Sequence, residues 1–230
     1  EGTGGPMGLY VAEPAGEAAG AIVVLQEAFG VNDHIQDICR RFAAEGYLAV
    51  APHLFHRTGD PTIDYEDMQE VMGQIMALRA DDMEADIEAT FAHLAGAGFE
   101  MGRIGIVGFC MGGSVSYLAA ARYPLGAAVS FYGGGIGQGR FGIPPLVDLA
   151  PQLECPWLGL FGDQDQTIRV DQVEALRVAS SRASVPTEVV RYPEADHGSH
   201  CDARSSYHEA SAKDAWQRTL DWFGRYLARS

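Results

Sequence analysis

Arg103-Ile104-Gly105-Ile106-Val107-Gly108-Phe109-Cys110-Met111-Gly112-Gly113 is a buried-strand pattern that runs straight into an Ala-rich helix pattern. Within it, Gly108-Phe109-Cys110-Met111-Gly112 fits the nucleophile-elbow pattern G-x-S-x-G, with cysteine in place of serine. A residue on so sharp a strand-to-helix turn is held in strained backbone geometry, and only small neighbours two positions away leave room for it. Gly108, Gly112 and Gly113 supply that room. The turn also sets the sulfur at a helix N-terminus, whose partial positive charge favours thiolate over thiol. The competing reading is a buried structural cysteine in a glycine-rich turn.

Outward from this turn, short apolar runs alternate with longer amphipathic stretches. Strands are predicted at Gly8–Ala12, Ala21–Leu25, Leu48–Ala51, Arg103–Gly108, Gly126–Tyr132, Trp157–Gly162 and Thr187–Tyr192. Ile35, Ile38, Cys39 and Phe42 recur at helical steps, as do Ile87, Phe91 and Leu94, then Val173 and Leu176, and finally Ala215–Leu227. Several central strands are almost wholly apolar, as strands covered on both faces by helices must be. The expectation is an α/β fold with a mostly parallel sheet, built as a single domain over residues 1–230. Gly133–Gln152 is predicted as a long irregular loop, either a lid over a site or a surface excursion.

A cysteine nucleophile needs a base and a group to orient that base. When the nucleophile sits on such an elbow, an acid and then a histidine follow it along the chain, on loops after later strands. Trp157–Gly162 is followed by Asp163 and Asp165, and Thr187–Tyr192 by Asp196 and His197. His197 is the natural base. The acid is Asp163 or Asp165: Ile168, three residues beyond Asp165, would anchor that loop to the sheet, whereas Asp163 suits a loop cap, and the resemblance described below adds weight to Asp165.

Composition narrows the partners. The 230 residues carry 16 Lys and Arg against 31 Asp and Glu, a formal charge of −15. With no run of basic residues, neither a nucleic acid nor an anionic membrane surface is an expected partner. The apolar runs fall far short of the ~20 residues a membrane-spanning helix needs. Four scattered cysteines (Cys39, Cys110, Cys155 and Cys201) are not a disulfide scaffold. They fit a reducing cytoplasm, and no signal-peptide pattern argues otherwise. His197, His200 and Cys201 lie close together but fall short of the four ligands of a structural zinc site, so no metal and no cofactor is expected.

The chain resembles the dienelactone hydrolase family of the α/β-hydrolase superfamily over nearly its whole length. The resemblance rests on Gln26-Glu27-Ala28-Phe29-Gly30-Val31-Asn32, Gly46-Tyr47, Ala51-Pro52, the cysteine elbow, Gly162-Asp163-Gln164-Asp165 and Tyr192 with Ala195-Asp196-His197. It implies a three-layer α/β-hydrolase sandwich and a triad of Cys110, His197 and Asp165. It also implies that Glu27 contacts the resting cysteine and helps to ionise it, and that the backbone N–H groups of Ala28 and Met111 form the oxyanion hole. The implied activity is hydrolysis of a small-molecule ester or lactone through a thioester on Cys110. The alternatives are a ligand-binding or biosynthetic protein with weak or no hydrolysis, and a redox-sensing thiol. Monomer and homodimer fit equally.

The pattern departs from the family where a substrate carboxylate would be held. The resemblance calls for one arginine four residues beyond the histidine, where this chain has Cys201, and another in the acidic stretch Asp60–Met76, which has none. Arg204 is the candidate replacement, with Phe29 as a pocket wall. Ile63, Tyr65, Met68, Met72, Ile75 and Met76 are expected in the core or, less commonly, on the pocket wall. Together these departures point to a neutral acyl or lactone substrate.

Overall fold

The computed structural model describes residues 4–227. Strands run over β1 (Leu9–Ala12), β2 (Ala21–Leu25), β3 (Leu48–Pro52), β4 (Ile104–Phe109), β5 (Ala127–Phe131), β6 (Trp157–Gly162) and β7 (Thr187–Tyr192). β2, β4, β5 and β6 are buried along their entire length. Such strands need cover on both faces. They form one sheet in the order β1-β3-β2-β4-β5-β6-β7, with β1 antiparallel to β3 and every other pair parallel.

The cover comes from α1 (Asp33–Ala44), α2 (Met68–Ala77), α3 (Ala80–Gly96), α4 (Met111–Ala120), α5 (Leu146–Leu149), α6 (Val170–Ser180) and α7 (Glu209–Tyr226). α1 and α7 share one layer, where Phe42 meets Trp216 and Phe223 at ring-centroid distances of 4.6 and 5.9 Å. α4 and α6 meet in the other, joined by the buried pair Tyr117 Oη and Ser180 Oγ at 3.0 Å. The pleat of β4 serves both layers. A Cβ on Gly105 would strike Phe223 on α7 at 2.7 Å, whereas one on Gly108 would strike the backbone of α4. The resulting α/β sandwich has the three layers expected.

Polar groups between the sheet and α4 are paired. Trp157, the largest fully buried side chain, donates its indole N–H to Ser130 Oγ at 2.9 Å. Ser116 bridges Ser130 to the carbonyls of Gly113 and Val129. This ties β5 and β6 to the helix that follows the elbow, with few donors left unmade.

Two expectations are corrected. Gly133–Gln152 is not a structureless loop: it holds α5 and a 3₁₀ turn at Ala150–Gln152, and it buries Ile136, Ile143, Leu146 and Leu149. Its apolar residues are too widely spaced to register as one periodic element. In the 60–76 region Ile63 and Val71 do go inside, but Met68, Met72 and Met76 stay 55, 48 and 74 % exposed. They form an outward stripe at four-residue steps, and helical spacing alone does not say which stripe faces the core. None of the described helices is long and apolar enough to cross a membrane.

Close approach at Gly105 gives the first prediction. Gly105→Ala forces Phe223 or Ile22 to shift and costs about 1–3 kcal/mol of stability. A lower urea midpoint at unchanged denaturant slope is the expected readout.

Candidate active site

The side chains singled out from the sequence lie beyond the C-terminal ends of parallel strands. Glu27 follows β2, Cys110 follows β4, Asp165 follows β6 and His197 follows β7. In open parallel sheets this edge is where ligands bind.

Cys110 takes φ 55° and ψ −115°, between the extended backbone of β4 and the first turn of α4. Such a conformation is strained for any residue with a side chain. Crowding of backbone on backbone holds it there. A Cβ on Gly108 would lie 1.8 Å from Gly112 O, one on Gly112 2.6 Å from Gln26 O, and one on Gly113 2.5 Å from Phe131 O. Because Met111 opens α4, its N–H is among those without an intrahelical acceptor. On the facing side, the Ala28–Gly30 turn is pinned by Ile63 N–H donating to Phe29 O at 3.1 Å. Gln26, fully buried, accepts from Leu54 N–H at 3.1 Å and anchors the start of that turn.

His197 and Asp165 are paired through Nδ1 and Oδ2 at 2.7 Å. The other carboxylate oxygen of Asp165 accepts from Thr167 N and Oγ1, both at 2.7 Å, and from Ile168 N at 3.0 Å. Asp165 is only 4 % exposed; burial pushes its carboxyl up, but His197 first and Thr167 second outweigh it and hold the group below the usual range. Asp163 instead forms a two-pronged bridge to Arg191, with both contacts at 2.7 Å, and is thereby occupied elsewhere.

His197 also lies within electrostatic reach of the Cys110 sulfur. Burial opposes charge on the imidazole, but the sulfur of Cys110 and the carboxylate of Asp165 outweigh it and raise His197 to about 10. The arrangement favours an imidazolium on His197 at neutral pH. Cys39 and Cys155 are buried and pushed up to about 12, which leaves them inert thiols.

Glu27, 1 % exposed, places Oε1 3.4 Å from Arg204 Nη1, while its Oε2 is buried without a hydrogen-bond partner. The carboxylate is thus drawn toward Arg204 rather than held on the resting cysteine. The Arg204 guanidinium lies 5.4 Å from the Phe29 ring centroid and 5.9 Å from that of Tyr65. Both low-ranking sequence candidates, Arg204 and Phe29, therefore come together beside Glu27.

Two further residues join them that the elbow and strand-end logic does not single out. Tyr65 stacks edge-on against Phe29 at 4.6 Å; its hydroxyl bonds Asn32 at 3.0 Å and Cys201 Sγ at 3.2 Å. Tyr132 packs its ring 5.0 Å from His197, with its hydroxyl buried and without a partner. Its φ of 39° ends β5 one residue earlier than the apolar run suggests. An aromatic just before Gly133-Gly134-Gly135, at the same sheet edge as the elbow, was the available signal. The trio His197, His200 and Cys201 does not form a ligand group among the described residues; Cys201 instead groups with His34 and Asp202.

With this geometry in place, comparison with known proteins gives a consistent answer. A family model described as "Dienelactone hydrolase family" matches residues 7–227. A Salmonella typhimurium protein described as "Putative carboxymethylenebutenolidase" is 43% identical over 228 residues, spanning 97% of this chain and 84% of that protein. The "Carboxymethylenebutenolidase" of Pseudomonas putida is 30% identical over 223 residues, 95% of this chain and 91% of its own length. A crystal structure of a "Putative Dienelactone Hydrolase" from Klebsiella pneumoniae superposes with a TM-score of 0.90 at 42% identity, covering 98% of this chain and 95% of that one.

The raised His197 fixes a pH signature. Its proton contributes stability that is complete below the ordinary histidine value of 6.5 and is lost as pH rises through about 10. Nitrogen-15 NMR of the ring is expected to show His197 charged at pH 7, and Cys110→Ala should move its titration to lower pH. An unchanged titration in that variant would break the link between the two groups.

Proposed function

This chain belongs to the dienelactone hydrolase family of ester and lactone hydrolases, and we propose that it opens its substrate through a thioester on Cys110. One observation carries this reading above the rest: a cysteine in strained elbow geometry within electrostatic reach of a histidine whose Nδ1 is 2.7 Å from a buried carboxylate.

The substrate carbonyl oxygen sits against the N–H groups of Met111 and Ala28. The Cys110 thiolate attacks the carbonyl carbon, and the two donors stabilise the resulting oxyanion, each by ~3 kcal/mol. Collapse breaks the carbon–oxygen bond of the ester or lactone, and the His197 imidazolium gives its proton to the departing oxygen. Water then attacks the thioester while neutral His197 takes up its proton, and the tetrahedral species expels the Cys110 thiolate to release the acid. Asp165 keeps the imidazole oriented throughout. Glu27 serves as the thiol-activating carboxylate. Its buried, unpartnered Oε2 supports that role, since turning this oxygen onto the sulfur would give it a proton to accept.

Charge balance supports a neutral acyl or lactone substrate. Arg204 is already matched by Glu27. Arg57 is committed to Asp86 at 2.6 Å, and Arg79 donates to the carbonyls of Met76 and Leu78. No second arginine in that region is left to receive a substrate carboxylate, although carboxymethylenebutenolidase, as its name states, acts on a butenolide bearing a carboxymethylene group.

Three measurements bear on this. Cys110→Ala should abolish turnover of short-chain aryl esters while leaving the circular dichroism spectrum intact, and mass spectrometry of the wild type should trap one acyl group on Cys110. Most of the activity surviving in that variant would remove the thiol from the mechanism. Asp165→Asn should lower kcat by roughly a thousandfold or more, as loss of the orienting acid does in serine triads. On a matched neutral and carboxylate-bearing lactone pair, the neutral member should show the higher kcat/KM; a clear preference for the anion overturns the charge argument.

A further inference from the structure

Behind the candidate active site, on the side of α1 and the loop that follows His197, lies a polar cavity of about 320 Å³. His34, Asp37, Arg41, His200, Asp202 and Trp216 are among its lining residues, and none of Cys110, Asp165 and His197 belongs to it. His34 is 8 % exposed and His200 4 %. Yet Nε2 of His34 and both ring nitrogens of His200 are buried with no hydrogen-bond partner. A buried imidazole normally satisfies its ring nitrogens, because each unmade bond costs free energy. Each neutral imidazole carries one lone-pair nitrogen, so the two rings can offer up to two such nitrogens to a ligand that takes lone pairs.

The neighbouring side chains are of the matching kind. One ligand atom each from His34, Cys201 and Asp202 lies within 4.8 Å of the other two. Metal–ligand bonds of ~2.0–2.3 Å put tetrahedral donors roughly 3.5 Å apart, so small side-chain rotations close the cluster. Nitrogen, sulfur and carboxylate oxygen are the donor set that zinc-type ions select. Asp202 is exposed, which places the cluster within reach of solvent.

We propose that His34, Cys201 and Asp202 form a binding site for a zinc-type divalent cation, distinct from the Cys110 centre. The fourth position falls to water or to His200, whose ring centroid is 6.2 Å from that of His34. On binding, Cys201 gives up its thiol proton to solvent and exchanges its contact with Tyr65 Oη for a metal–sulfur bond. The ion clamps the second residue of α1 to the loop that also carries Arg204, and it leaves the Tyr65 hydroxyl, on the wall shared with Phe29, with its Asn32 contact alone.

The test uses the full chain, stripped with a chelator and titrated with Zn(II) in a calorimeter and Co(II) in a spectrophotometer. Both wild type and Cys110→Ala should bind one ion per chain, and the Co(II) forms of both should show a sulfur-to-cobalt charge-transfer band in the near-ultraviolet. Cys201→Ser should lose the band; His34→Gln and the exposed-site variant Asp202→Asn, which leaves the buried side chains untouched, should weaken binding at least tenfold. A band that survives in Cys201→Ser and disappears in Cys110→Ala would put the metal on the catalytic thiol and overturn the proposal. Undetectable binding at millimolar metal in the folded wild type would do the same.

Discussion

The strained backbone of Cys110 is the constraint around which the sheet edge is organised. A side chain at φ 55° is held only when its surroundings leave no alternative. Here the surroundings are main chain: α4 presses onto β4 at Gly108, onto the β2 exit at Gly112 and onto the β5 exit at Gly113. These contacts set the distance between Met111 and the Ala28 turn, and they aim the sulfur at the loops after β6 and β7. The Ser116–Ser130–Trp157 network then fixes the same helix to β5 and β6 from below. Rigidity at Cys110 is thus a property of close-packed glycines and satisfied hydrogen bonds rather than of the cysteine itself.

Charge around this point is arranged in two balanced pairs. Asp165 and His197 face Cys110 from one side, and Glu27 and Arg204 face each other on the other. Each carboxylate is almost wholly buried and faces one basic partner. The net charge of −15 belongs to the whole chain and says nothing about this interior, where each acid is matched by one cation or imidazolium.

Local chemistry made much of this readable in advance. Strands β2, β4, β5 and β6 are continuous apolar runs, and the buried faces of α1 and α3 follow helical spacing in Ile35-Ile38-Phe42 and Ile87-Phe91-Leu94. The elbow can be read because three glycines at set offsets flank a cysteine between a strand pattern and a helix pattern. Position along the chain placed Asp165 and His197 after the last two strands, and the structure brings them to 2.7 Å. The methionine stripe of α2 and the 133–152 segment misled because their patterns are short, and the choice of buried side depends on distant neighbours.

What the sequence determined by itself was therefore everything carried by local pattern: the alternation that makes the sheet parallel, the turn that holds the thiol, and the order of the groups that serve it. Only the tertiary structure decided the long-range partners. Arg204 reaches Glu27 across 177 residues, and Tyr65 reaches Cys201 across 136. Such pairings depend on how loops of irregular backbone fold over the sheet edge, and no residue periodicity records that. The sequence marks a cysteine where a clamp arginine was expected. The packing shows that Arg204 occupies the space over Phe29 instead, while Cys201 contacts Tyr65 and lies within reach of His34 and Asp202.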